Sequence, residues 1–591
     1  MKHTPKQLKY LLSIWRDWPR LVWSVVKVTV RFGPAAVLQR AKAILPRVIE
    51  EQTVSPTEVA KLGGKKPLIS VILPTYNTPI KLFRDAVASV FDQVYTNWEL
   101  IVVDDASESA ELLALLKNLS QQDPRVNVYF RLRNGNISRA INDGLKRCRG
   151  TFFTILDHDD RLSRNALYYV AKAIIEQPKV DIIYSDEDKL SADGTVRTGA
   201  FFKPDWSPEY IHTFMYTCHL LAYRTRKALT VGSFDSRFDG AQDFDYFLRF
   251  TEKSQRIFHI PHVLYHWRIW AQSTASGTDA KPYAFERAHK ALRNHLTRTA
   301  EQFELQPSKL PGHHDVTFLP RRADLISIVI PTANGGITIG NRLENHIDTL
   351  IRQILDESSY QKFEIVIAHN GNLTGDQLAF FEDQQKVKLY HYQSVTFNLA
   401  EKINKAASEC NGNYLLLLND DIRVISKNWL ERMLGMAQRK GVGAVAPKLL
   451  FHNGRVQHAG IVLLQGMPGH PFYGEPDGNG YGLGIRATRN CIAVTGACKI
   501  TPAKLFHRLN GYDSAFPMNY NDVDYCLRAR ELGYRSVYLA NVSMYHYEGV
   551  SKGTTKQDLS HELVKFRARW AQKYPHDPYY NPNLHQFIPY R

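Results

Sequence analysis

Short apolar runs alternate with stretches of helical period along most of the chain, and the alternation occurs twice. The first series predicts strands over 68–73, 99–103, 126–130 and 151–156, with helices over 80–90, 108–118 and 137–148. The second predicts strands over 326–330, 363–368, 387–390 and 414–418, with a helix over 399–410 before the last of them. Apolar runs this short, separated by amphipathic helices, predict a parallel, doubly wound α/β sheet in each half. Later stretches of each half are more broken and are expected to build an acceptor side.

The two series share landmarks. Each opens on a strand ending Pro-Thr-x-Asn: Pro74, Thr75, Tyr76, Asn77 and Pro331, Thr332, Ala333, Asn334. Each later reaches an acidic cluster, Asp157-His158-Asp159-Asp160 and Asn419-Asp420-Asp421, at 82 and 87 residues from its Asn. A second cluster follows, Gln242-Asp243-Phe244-Asp245 and Asn521-Asp522-Val523-Asp524, each running into Tyr-x-Leu-Arg. Tyr265-His266 and Tyr545-His546 come 23 and 24 residues later. This is a tandem duplication of one unit of roughly 240 residues.

Bulk composition narrows the class. An apolar fraction of 44% supplies packed cores, and six cysteines without a Cys-x-x-Cys speak against a disulfide framework or structural zinc. No run of about 18 uncharged apolar residues exists, so no membrane span is expected. The net charge of +17 is uneven: residues 1–50 carry ten Lys or Arg against Asp17 and Glu50. There Leu8, Leu11, Trp15, Trp18 and Val22 recur at helical spacing between basic residues. Two readings fit this basic amphipathic helix, a peripheral position in a headgroup layer or packing on its own catalytic domain. No nucleic-acid motif accompanies the charge.

In an open α/β sheet, ligands bind beyond the carboxyl ends of the strands. Asp104-Asp105 and Asp157–Asp160 end strands of one sheet and therefore face one crevice. Clustered carboxylates call for a compensating cation, and oxygen ligands suit Mg2+ or Mn2+ chelated to a diphosphate. Tyr76 can stack on a base, and Asp104 or Asp105 can accept from a pyrimidine N–H. Asp243, a carboxylate apart from the cation, suits a general base.

These motifs resemble family 2 glycosyltransferases of the GT-A fold, over about 67–277 and 324–553. The resemblance implies two tandem GT-A domains, nucleotide-diphospho-sugar transferases of Rossmann-like α/β build, with a helical N-terminal extension. The family's D-x-D metal motif falls on Asp157 and Asp159, its base on Asp243, its nucleotide-binding acid on Asp104-Asp105 and its late metal or diphosphate histidine on His266. Its R-x-x-N segment falls on Arg139 and Asn142, and Phe202–Ser207 looks like a motif of polysaccharide-building members. In the second unit the implied metal residues are Asp421 and His546 and the base is Asp522. Pro331, Thr332, Asn334, Asn370, Asn404, Asn419 and Asp420 take the donor-binding places, in an N-x-D variant resembling rhamnosyltransferase-like members.

His369-Asn370 replaces the acidic pair and Ala333 replaces Tyr76, so the second unit reads either as a working transferase or as a degenerate copy that binds or positions glycan. Within the glycine-rich insertion at 466–484, the stretch Gly478–Gly484 is expected to be a mobile loop over the acceptor.

The implied activity is inverting, metal-dependent hexosyl transfer from UDP- or dTDP-linked sugars to a growing, lipid-linked bacterial surface polysaccharide of O-antigen or capsule type. The implied place is the cytoplasmic face of the inner membrane, with other polysaccharide-assembly proteins as possible partners. The expected partition is 1–66 N-terminal region, 67–300 first domain, 301–323 linker, 324–555 second domain and 556–591 C-terminal helix and tail.

Overall fold

The computed structural model describes residues 53–64, 66–270, 282–308, 310, 312–339, 342–547, 559–587 and 589–590. The basic amphipathic segment of residues 1–50 lies outside them. The described residues from Thr53 onward belong to one compact unit.

In the first lobe β1 (Ile69–Thr75), β2 (Trp98–Asp104), β3 (Val126–Phe130) and β4 (Phe152–Ile155) are followed by β5 (Arg161–Leu162), β6 (Ile182–Leu190), β7 (Arg197–Phe201), β8 (Leu221–Arg224) and β9 (Ile257–Arg268). They join in the order β3-β2-β1-β4-β8-β6-β9-β5, with β7 beside β6. β1 to β4 run parallel, and the central β1 and β2 are buried along their whole length, as expected of strands covered on both faces. β8 is antiparallel to β4 and β6, however, so the sheet is mixed rather than wholly parallel. The broken apolar pattern after Leu156 is where the parallel rule ends.

A hairpin, β10 (Phe303–Pro307) with β11 (His314–Phe318), leads to the second lobe. The stretch expected as linker thus contains a hairpin. His314 is buried, its backbone N–H donates to Thr213 O at 2.8 Å, and burial pulls its pKa down to about 3.

The second lobe contains β12 (Ile326–Pro331), β13 (Phe363–His369), β14 (Val387–His391), β15 (Tyr414–Leu418) and β16 (Ile422–Val424). Then follow β17 (Val442–Leu450), β18 (Val456–His458), β19 (Arg489–Cys491), β20 (Cys498–Pro502) and β21 (Arg535–His546). The order is β14-β13-β12-β15-β20-β17-β21-β16, with β18 beside β17 and β19 beside β21. Position for position this repeats the first sheet, and duplication of sequence is duplication of topology.

The lobes share a continuous apolar core, which includes Tyr210, Phe244, Phe318, Ile326 and Val537. Glu209 crosses the seam to Arg535 (2.9 Å) and Arg439 (3.2 Å), and Ser207 Oγ donates to Asn490 Oδ1 at 2.7 Å. The Phe202–Ser207 motif thus lies against the other lobe. The glycine-rich insertion is there too: Phe202 N–H donates to Tyr481 Oη at 2.7 Å and Tyr210 Oη donates to Gly482 O. It is pinned at the seam, not free over an acceptor. After the helix Leu559–Trp570 the tail straps both lobes. Asn581 Nδ2 donates to the buried Asp186 carboxylate at 2.8 and 3.0 Å, and Asp577 Oδ2 accepts from Leu463 N–H at 2.8 Å.

Candidate active sites

Strand register brings the acidic residues of the first lobe to one sheet edge. β1 lies between β2 and β4, with Thr75 opposite Asp104 and Ile72 opposite Ile155. The chain leaving β4 therefore sets Asp157 and Asp159 beside the Pro74–Asn77 turn. Asp243 enters from the first turn of the helix Gln242–Lys253.

Electrostatics ties these groups together. Burial raises the pKa of Asp157; His219 pulls it down, and the charges of Asp159 and Asp243 push it further up. Burial raises Asp243 as well, against the pull of His219. Asp157, Asp159 and Asp243 thus lie close enough for their charges to act on one another. A carboxylate with a raised pKa is also the stronger base.

In the second lobe the connection can be followed atom by atom. β15 pairs with β20, Leu418 opposite Cys498, and Asn419 N–H donates to Ala497 O at 2.8 Å. One residue earlier, Gly496 N–H donates to Asp522 Oδ2 at 2.7 Å. The N-x-D turn and the base helix are therefore clipped together through Gly496-Ala497. His546 Nε2 stands 3.1 Å from Asp421 Oδ1, and its Nδ1 is fixed 2.6 Å from Gln457 Oε1. Burial would raise Asp421, but His546 outweighs it and holds the carboxyl below its usual range.

Gly496 is needed here for closeness. A Cβ would sit 3.0 Å from Tyr512 Oη and 3.2 Å from Asp522 Cβ. If Asp522 is the base of a second transfer, Gly496→Ala should displace it by a few tenths of an ångström and lower that transfer about tenfold, since misplacement of about 1 Å can cost about 10²-fold. Steady-state rates of the second transfer, with the fold checked by circular dichroism, measure this.

Both donor sets fit a divalent cation. The first offers Asp157 and Asp159, crowded like charges that a cation would relieve; the second offers Asp421 with an imidazole already at 3.1 Å.

Several expected site residues are occupied otherwise. His266 Nδ1 is 2.6 Å from Asp188 Oδ1, while Asp159 Oδ2 accepts from Trp270 Nε1 at 2.6 Å. The cause is register. His266 pairs with Arg161, two residues after Asp159, whereas His546 pairs with Ile422, one residue after Asp421. A one-residue slip exchanges the faces of a strand, so offsets of 23 and 24 residues gave unequal placements.

Asn142 and Asn404 clamp backbone instead of lining a donor site. Asn142 bonds both N–H and C=O of Phe234 at 2.8 Å, and Asn404 does the same for Tyr512 at 2.8 and 2.7 Å. Asp105 is taken up by Arg131 and Gly135 N–H, which leaves Asp104 as the acid with an unpartnered oxygen. Asn77 and Asn334 hold left-handed bends, each with its side-chain oxygen accepting a hydrogen bond. Asp420 Oδ2 accepts from Thr332 Oγ1 at 2.6 Å, and burial raises its pKa to about 6. Tyr76 and Arg139 are exposed and free to meet a ligand.

One site residue went unread. His219 occupies the place of Ala497, as the matching registers of β4 with β8 and β15 with β20 show. Its ring stacks on Tyr265 at 4.7 Å, with Nδ1 3.4 Å from Glu187 Oε2. The shared Thr217 and Thr495, two residues before each, were the available signal.

The family model "Glycosyl transferase family 2" matches residues 70–231 and 327–496, one match per lobe. The chain belongs to that family and is a glycosyltransferase with two GT-A type domains. The chain is 36% identical over 548 residues to the uncharacterized protein y4gI of Sinorhizobium fredii, covering 89% of this chain and 59% of the relative. It is 35% identical over 540 residues to the O-antigen biosynthesis protein RfbC of Myxococcus xanthus, covering 90% of this chain and 41% of the relative. The chain thus spans about half the length of these relatives. Among solved structures, S. aureus TarS 1–349 in complex with UDP-GlcNAc matches with a TM-score of 0.32 and 23% identity, over 39% of this chain and 66% of that one. At that score the likeness adds nothing to the family match.

Proposed function

We propose that the chain is a bifunctional inverting glycosyltransferase that builds a bacterial surface polysaccharide, with one transfer per lobe. The supporting observation is that each lobe sets a base carboxylate, Asp243 or Asp522, beside its own metal-type turn. In this reading Asp243 and Asp522 each take the proton of an acceptor hydroxyl as it attacks the donor sugar. Asp157, Asp159 and, in the second lobe, Asn419, Asp421 and His546 would hold a Mg2+ or Mn2+ ion. When bound, that ion neutralises charge on the departing diphosphate. Tyr76 and Asp104 receive the base of a UDP- or dTDP-linked hexosyl donor in the first lobe.

The similarity to a relative named for O-antigen biosynthesis supports a glycan acceptor, which we take to be lipid-linked. Among the described residues no helix is long and apolar enough to cross a membrane. The basic segment 1–50 then serves as a peripheral attachment to the cytoplasmic membrane face, where other assembly proteins act.

A second reading, a single active lobe with a glycan-positioning partner, draws on Ala333 and His369 at the places of Tyr76 and Asp104. A screen of nucleotide sugars for divalent-dependent transfer, with wild type, Asp159→Ala and Asp421→Ala, tests both. Two distinct transfers, each lost in one variant, support the first reading. Activity indifferent to Asp421 supports the second.

A further inference from the structure

The lobes present opposite hydrogen-bonding polarity where the base of a donor would meet the sheet. Asp104 stands opposite Thr75, and the β12–β13 register places His369 in the same relation to Thr332. Asp104 is 1% exposed; its Oδ2 accepts from Ser107 N–H at 3.0 Å and its Oδ1 has no partner. A buried carboxylate oxygen left unmatched is unfavourable, and an N–H from a ligand would satisfy it.

His369 reverses this. Its Nδ1 accepts from Gly371 N–H at 3.2 Å, in a turn that Gly371 makes at φ +76°. Burial, with the neighbouring His391 and Lys402, keeps its pKa below the ordinary imidazole value. Because Nδ1 accepts, the ring proton belongs on Nε2, which makes no hydrogen bond among the described residues. The next residue follows suit. Lys402 Nζ, buried, donates to Asn370 Oδ1 at 2.5 Å and to Thr332 O at 2.8 Å. An ammonium can only donate, so it fixes the amide with its NH2 turned away and unpartnered. The first lobe has Ala140 at the place of Lys402, two residues before the equivalent clamp Asn142.

We propose that the second lobe takes a donor whose base offers two adjacent acceptors, cytosine (O2 and N3) or guanine (O6 and N7). The uracil or thymine edge, with its N3–H, suits Asp104 and meets only donors at His369 and Asn370. His369 and Asn370, set by Gly371 and Lys402, are then the specificity-determining residues of the second transfer. This rests on the reading that the second lobe binds a nucleoside-diphospho-sugar.

The test is calorimetric titration of CDP, GDP, UDP and dTDP, with Mn2+, into the full chain carrying Asp104→Ala and Asp159→Ala to silence the first lobe. CDP or GDP should bind about tenfold or more tightly than UDP and dTDP, as a matched two-bond edge discriminates; which of the two wins separates cytosine from guanine. Adding His369→Asp should abolish that preference, while His369→Gln, which keeps a donor, should retain it. Equal or tighter binding of UDP or dTDP, or an order unmoved by His369→Asp, overturns the inference and leaves nucleotide binding standing. Binding of none of the four overturns both.

Discussion

Asp243→Asn should lower first-lobe turnover by about 10²–10⁴-fold, the usual worth of a positioned general base, while the affinity for donor nucleotide stays within about twofold. The carboxylate is half-buried at the start of its helix, and its Oδ1 accepts from Phe244 N–H at 2.8 Å, a bond that an asparagine oxygen can keep. What the amide cannot do is take a proton. The measurement belongs in an Asp522→Asn background, where the other lobe is silent, with transfer rates and nucleotide titration read on the same preparation. The pH profile carries the same signature. Because burial raises the Asp243 pKa, the acid limb of the rate should lie at higher pH than for a free aspartate, activity falling as pH drops through it. A variant with full rate, or with lost donor binding as its main defect, would assign Asp243 another role.

The largest stability effect is expected at the seam. Glu209 is wholly buried between Arg535 and Arg439, two charges from the other lobe. Glu209→Ala leaves both guanidinium groups facing an empty buried site, and breaking such a pair typically costs about 3–5 kcal/mol. The sign of the pH dependence follows. Burial opposes the Glu209 charge, but Arg535 and Arg439 outweigh it and hold its pKa below the ordinary value of 4.5. Its contribution is therefore complete above that unfolded value and is lost as pH falls through the folded one. Urea denaturation at neutral pH and at pH below 4.5 should show a midpoint loss in Glu209→Ala that is full at neutral pH and shrinks only below 4.5. An unchanged midpoint would mean that the Glu209 ion pairs do not hold the seam.

Much of this was legible in the residues because it depends on local pattern. The strands over 126–130 and 414–418 fall where periodicity put them, and the twin landmarks led to twin sheets. The parts that were not legible depend on partners far away in the chain. The mixed direction of the sheet follows from β8, whose neighbours β4 and β6 precede it by tens of residues. The closely matched offsets of His266 and His546, 23 and 24 residues, hid a slip of one residue against β5 and β16. Within the acidic pair, sequence could not say which aspartate Arg131 would claim. The role of Glu209 could not be read either, since its partners lie 230 and 326 residues on. The bond from Asn581 to Asp186 spans 395 residues.

That both lobes catalyse is tested most directly by mass spectrometry of the acceptor product from Asp243→Asn, Asp522→Asn and the double variant, with a complete donor mixture. One transfer should disappear in each single variant when its acceptor is supplied, the other should persist, and both should vanish in the double variant. Product from Asp522→Asn identical in composition and rate to wild type would contradict a working second lobe.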